Sequence, residues 1–233
     1  MAYIYEYIRT QGFEPLHFEK HYMRLDAVAR KLFVQPLGVE REELKRQIAT
    51  TLRTRGFSAH TMNAVYVRYY SDGSLSVEGV DTWYSKFSLR AIRPKGCICR
   101  VSGELLIENT SAKEAMTELN EEIARMTEEG VPIWVNEQGE VLAIDGSPVI
   151  AVFDDEIRFS RMGAGVEFEL AYAAIGDIKR KITKEEIRVE HLCDVKELLY
   201  IDYRGVTALE CFESHHYMDI MAEKVALKIA EIE

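Results

Sequence analysis

The 233-residue sequence carries 39 acidic and 29 basic residues, a formal net charge of −10, with 47% hydrophobic and 29% charged residues. That balance excludes a disordered chain, and an acidic surface disfavours binding to DNA or RNA phosphates. No stretch is long and apolar enough to span a bilayer, and the opening MAYIYEYIRT, interrupted by Glu6 and Arg9, lacks a basic leader and an apolar core, so a soluble, cytoplasmic protein is expected.

Residues 3–9 are aromatic and β-branched and predict a strand, with Gln11-Gly12 as a turn and a second strand from Glu14 to Phe18. Tyr22, Leu25, Val28, Ala29 and Leu32 have the spacing of a helix from about Glu19 to Leu32, and a second helix is predicted from Arg41 to Thr54. MNAVYVRYY and SLSVEGV alternate around Ser71-Asp72-Gly73, and FSLRAIRP and CICRVS continue a meander to about residue 105. The next segment, 111–128, is a strong helix. Ser111 and Glu114 have the spacing of a capping box, and Met116, Leu119, Ile123 and Met126 form its apolar stripe. A second meander follows through VPIWV, EVLAI, SPVIAVF and EIRFS, then a helix over 166–177. EIRVEHL, LLYIDY and TALECF read as strands, and a helix from about His216 to Ile232 ends the chain. Strands and helices do not alternate strictly, so the class is α+β, with domains expected at 1–105 and 106–233.

Few local motifs carry chemistry. There is no P-loop, no G-x-G-x-x-G, no G-x-S-x-G and no H-E-x-x-H. Cys97 and Cys99 alternate within a strand, as structural thiols do, and adjacent His215 and His216 point apart. No metal site is expected. Gly163-Ala164-Gly165 precedes a helix whose free N–H groups could hold an anion.

Residues 5–32, YEYIRTQGFEPLHFEKHYMRLDAVARKL, resemble the opening of fold type IV pyridoxal-phosphate (PLP) enzymes: branched-chain aminotransferases, D-amino-acid aminotransferases and aminodeoxychorismate lyases. The matches are Glu6 with Arg9, and His21-Tyr22-Met23-Arg24-Leu25 for the family's H-x-x-R-L helix. Asn136 to Val141 resemble the family's acidic hairpin, Gly165-Val166-Glu167-Phe168 its G-I-T-R helix start, and Lys196 to Leu199 a later strand. The resemblance covers nearly the whole chain through the order of these elements. It implies a short, divergent member with a two-domain architecture like that of D-amino-acid aminotransferase.

The resemblance also implies roles. Arg24 would bind the cofactor phosphate, joined by the N–H groups at Gly165 and Val166. The family's pyridine-binding carboxylate falls on Ala143, and Asp145, two residues on, would share its strand face as a substitute. The phosphate-cup threonine falls on Glu167. Counting back from Gly130 places the Schiff-base lysine at Ala112, beside Lys113, whereas the helix stripe places it at Ser111. Lys113 is the candidate, unless it is an ordinary solvent-facing helix lysine. Two outcomes stay open. One is a PLP-dependent aminotransferase or aminodeoxychorismate lyase acting on a small amino-acid-like molecule. The other is a catalytically inactive relative, a pseudoenzyme, using the same site for another ligand or a protein. A homodimer is implied in either case.

Overall fold

The computed structural model describes residues 1–82, 87–101, 108–127, 130–178, 181–183 and 185–232. Compactness divides the chain into two units: Met1–Lys86 with Glu108–Lys113, and Phe87–Ile107 with Glu114–Glu233. The expected single boundary at 105–106 lies outside the described residues. The hydrogen bonding of the flanking segments explains the grouping. Lys95–Arg100 pairs with strands of the second unit, whereas the Tyr5 N–H donates to Asn109 O and Ile4 bridges to Thr110 in the first.

The first unit contains β1 (Tyr3–Gln11), β2 (Glu14–Pro15), α1 (Phe18–Phe33), α2 (Arg41–Thr54), β3 (Met62–Tyr70) and β4 (Leu75–Val80). Its sheet has the order β2-β1-β3-β4 and is antiparallel throughout. Alternation in β1 turns Ile4 and Ile8 into a core shared with Leu25, Ala29, Leu44, Ile48, Val65 and Val67. The opposite side chains, Tyr3, Tyr5 and Tyr7, pack edge-on or stacked against Tyr70 and Tyr66. Gly12 has φ +58°, and a Cβ there would lie 2.3 Å from Ala59 O, so the turn requires glycine. The return strand is shorter than predicted. His17 adopts left-handed φ 49° and turns the chain into α1.

The second unit contains β5 (Lys95–Arg100), most of α3 (Ser111–Thr127), β6 (Val131–Val135), β7 (Val141–Ile144), β8 (Val149–Val152), β9 (Glu156–Phe159), α4 (Val166–Asp177), β10 (Lys181–Thr183), β11 (Glu197–Asp202), β12 (Gly205–Ala208), β13 (Cys211–Phe212), β14 (His215–His216) and α5 (Ile220–Ile232). Two mixed sheets form, with orders β10-β9-β8-β11-β12 and β14-β13-β5-β6-β7. Ile133, Ile144, Val149, Ala151 and Leu198 join them in one core. Helices α4 and α5 cover the outer face of the first sheet through Leu170, Ala174, Val225 and Ile229. Ala124 of α3 packs with Cys97, Cys99 and Trp134 on the second.

Several predicted elements differ. FSLRAIRP is not a strand: Leu89 makes one bridge to Val206, and the Arg93 side chain donates to the carbonyls of Leu209 and Tyr217. EIRVEHL bridges once, from Arg188 to Glu140, then closes into a 3-10 turn at Val189–His191. The last helix starts at Ile220 because Glu197 accepts the N–H groups of Met221 and Ala222 at 2.7–3.1 Å, supplying the N-terminal acceptor from another strand. The expected capping box is also displaced: Thr110 Oγ1, not Ser111, accepts the Lys113 N–H at 3.2 Å. Of the predicted stripe of α3, Met116 packs on the core, but Leu119 and Met126 are 61% and 78% exposed, while Lys113, Asn120 and Ala124 are buried. Among the described residues, no helix is long and apolar enough to cross a membrane.

Candidate functional site

In the first unit, β1 places a carboxylate where its inward face otherwise carries isoleucines. Glu6 lies between Ile4 and Ile8 in the alternation and is 4% exposed. A buried carboxylate needs partners, and α1 supplies them. His21 and Arg24, three residues apart, share one helix face. Glu6 Oε2 lies 2.9 Å from His21 Nδ1, and Glu6 Oε1 accepts from Arg24 Nε at 2.6 Å. Burial opposes ionisation of Glu6, but the Arg24 charge and the contacts with His21 outweigh it, so its pKa is lowered. Arg24 Nη2 is different: it is buried and has no hydrogen-bond partner among the described residues.

Lys113 enters the same cluster from the start of α3. The Tyr5 N–H donates to Asn109 O at 3.0 Å, tying the segment before the helix to β1. The Thr110 cap sets the first turn, and Lys113 Nζ donates to Asn109 Oδ1 at 3.3 Å. The side chain is not a solvent-facing helix lysine, because the residue is only 7% exposed. Burial first, and then the Arg24 charge, lower its pKa from 10.5 to about 8, against the opposing pull of Glu6 and Glu108. The result is a buried amine, partly neutral just above neutral pH, beside a guanidinium with a spare donor.

The second unit holds the other sequence candidates. Asp145 does not share the β7 face with Ala143. It sits beyond the strand at φ 53°, and Gly146 follows at φ 68°. Ile144 and Ser147 exchange hydrogen bonds at 2.8 and 3.0 Å, closing a tight Asp-Gly hairpin turn. Asp145 Oδ2 accepts from Arg204 Nη2 at 3.1 Å, and Arg204 is also bound to Asp202 through Nε at 2.8 Å. Glu121 joins the group. Burial, a hydrogen bond with Asp145 and the charge of Asp145 raise its pKa to about 7. Ala143, at the position implied for the pyridine carboxylate, is buried opposite Trp134. Gly165 is the residue before α4, with φ 137° and no side-chain cap, and Val166 is the first buried residue of that helix. Glu167 and Glu169 also lie in its first turn.

Thus Arg24 and Lys113 lie in one cluster, while Asp145, Gly165 and Val166 belong to the other unit. Sequence reading assigned no role to the anchors Glu6 and His21. The signal was present: an acid at an inward position of a strand, and a histidine three residues before the arginine on a helix. Among the described residues, no group of three or more His, Cys, Asp or Glu side chains could hold a metal ion.

No family model and no curated protein matches the chain. Solved structures do match it. A protein from Legionella pneumophila, provisionally assigned as a 4-amino-4-deoxychorismate lyase, is 10% identical with a TM-score of 0.80, covering 99% of this chain and 91% of its own. The branched-chain aminotransferase of Thermoproteus uzoniensis, solved with norvaline, is 14% identical with a TM-score of 0.79, covering 99% and 84%. A hypothetical aminotransferase from Mycobacterium tuberculosis in its PLP-bound form is 14% identical with a TM-score of 0.76, covering 99% and 90%. The chain therefore has the α+β fold of these type IV aminotransferase structures.

Proposed function

We propose that this chain binds pyridoxal 5′-phosphate and acts on the amino group of a small amino-acid-like molecule, by transamination or by lyase chemistry of the aminodeoxychorismate kind. The carrying observation is the buried Lys113 beside the half-buried Arg24. The residues fit two parts of the cofactor. The Arg24 Nη2 edge is an unfilled donor suited to a phosphate dianion. Lys113 is an amine that burial holds near pKa 8, ready for an aldehyde. When bound, the cofactor supplies an aldehyde carbon and a conjugated ring that takes up electrons.

The chain's own contribution is then specific. Lys113 in its neutral form offers a lone pair, and in its charged form it returns a proton from Nζ. Asn109 Oδ1 accepts from Nζ and limits where it can point. Arg24, fixed by Glu6, orients the phosphate end. A dimeric, cytoplasmic protein belongs to the same proposal.

A second reading, a relative that binds a ligand without turnover, is favoured by the ring-nitrogen side. Ala143 has no carboxylate, Asp145 is committed to Arg204, and Glu167 stands in the α4 first turn where an acid repels phosphate. Titration with pyridoxal 5′-phosphate followed by visible absorbance, then a screen of amino donors for cofactor conversion, separates the two. Saturable binding with turnover supports the enzyme. Saturable binding without turnover selects the second reading. Absence of binding removes the cofactor from both.

A further inference from the structure

The Glu6–His21–Arg24 arrangement raises a question that the phosphate role of Arg24 leaves open: which edge of the guanidinium faces the ligand. A long arginine side chain has many rotamers, and ordering it at the moment of binding weakens the complex. Here the ordering is already done. Glu6 Oε1 takes Nε at 2.6 Å, a short charge-assisted contact, and its other oxygen lies 2.9 Å from His21 Nδ1. Both ends of the carboxylate are thereby fixed between a strand and a helix. Glu6 and His21 are 4% and 2% exposed, so little water competes. What remains is Nη2, buried and unsatisfied among the described residues. An unmet buried donor of a charged group is costly, and Glu6 alone does not meet it. An anion would.

We infer that Glu6 is a positioning residue: it holds Arg24 through Nε so that the Nη2 edge is presented to the anionic group of the ligand, and His21 holds Glu6 in turn. The inference rests on the reading that Arg24 receives the cofactor phosphate. A purely structural ion pair would share the contacts but not the consequence for ligand choice.

The test compares pyridoxal 5′-phosphate with pyridoxal, which has the aldehyde but no phosphate, in native protein and in Glu6→Ala. The readout is the ratio of the two dissociation constants. In Glu6→Ala the preference for the phosphate ester should fall at least about tenfold while pyridoxal binding stays within about threefold of native. Glu6→Gln, whose amide can still span Arg24 Nε and His21 Nδ1, should recover most of the preference. A folded Glu6→Ala protein with the native ratio, or one that loses both ligands in parallel, would overturn the inference. If Glu6→Ala does not fold, Glu6→Asp, one methylene too short to reach both partners, is judged by the same ratio. Native protein that does not distinguish the two ligands would instead bring down the phosphate role of Arg24, and the positioning role with it.

Discussion

Each unit of this protein contains a half-buried arginine among carboxylates, and the two are built to opposite ends. Arg24 has one hydrogen-bonded acid, Glu6, which occupies Nε and leaves Nη2 unmatched, and the charge of Glu108 also reaches it. Arg204 has Asp202 and Asp145 on Nε and Nη2, and Glu121 is near enough to share a hydrogen bond with Asp145. The first cluster, with Lys113 beside it, sets Arg24 and the lysine against Glu6 and Glu108, with no surplus of acids. The second has an excess, relieved by keeping a proton on Glu121 as its raised pKa implies. A guanidinium with a spare donor suits a phosphate dianion, whereas one whose donors are taken up by acids repels it. What sets the arginine proposed for the phosphate apart is therefore the donor its neighbours leave open, since both are partly buried.

Among single substitutions, those at Lys113 should change the protein most. Its pKa falls from 10.5 in the unfolded chain to about 8 on folding, so the native state resists the charge. That penalty is present in full below about pH 8 and is relieved as pH rises from 8 to 10.5, the window in which only the unfolded chain holds the proton. Lys113→Met should thus stabilise the protein at pH 7 by up to about 3 kcal/mol in chemical denaturation, with the gain shrinking above pH 8. A constant gain across this range would mean that burial of charge is not the cause.

Next come the two arginines, exchanged one at a time for glutamine. Arg24→Gln should weaken pyridoxal 5′-phosphate binding by about thirtyfold, or about 2 kcal/mol, measured by absorbance titration. Arg204→Gln should leave that affinity within about twofold, yet lower stability by about 2 kcal/mol because its acids lose their counter-charge. The reverse pattern would show that the roles of the clusters had been exchanged.

The smallest effect concerns Glu121. Its folded pKa of about 7 lies above the usual 4.5, so native stability falls as pH rises from 4.5 to 7. Glu121→Gln should be neutral at pH 4 and stabilising at pH 8 by about 1 kcal/mol, a figure reduced for solvent screening. Thermal unfolding at the two pH values reads the difference.

Much of this architecture was legible from periodicity. β1, α1, β3 and the hairpin strands follow alternation or helical spacing closely enough to be drawn from sequence, and the order of elements pointed to the fold that the solved structures share. The site was legible only in part. Arg24 was singled out through its motif, but Lys113 had two readings because sequence spacing marks a stripe without saying which way it faces. In α3 Met116 packs on the core but Leu119, Ile123 and Met126 of the same stripe point outward, while Lys113 and Asn120 are buried. Asp145 was misplaced for a related reason. Counting along a strand assumes the strand continues, and the Asp145-Gly146 pair ends it in a turn that its own residue types favour. Glu6 was visible as an acid in an inward register, but its two partners come from a helix that only the folded chain brings near.

Borohydride reduction of protein incubated with pyridoxal 5′-phosphate, followed by peptide mapping, decides whether the Lys113 amine beside Arg24 receives the cofactor. The account predicts one stable modification per chain, located on Lys113 and absent from Lys113→Ala. A stable modification confined to another lysine, or none after saturation with the cofactor, would contradict it.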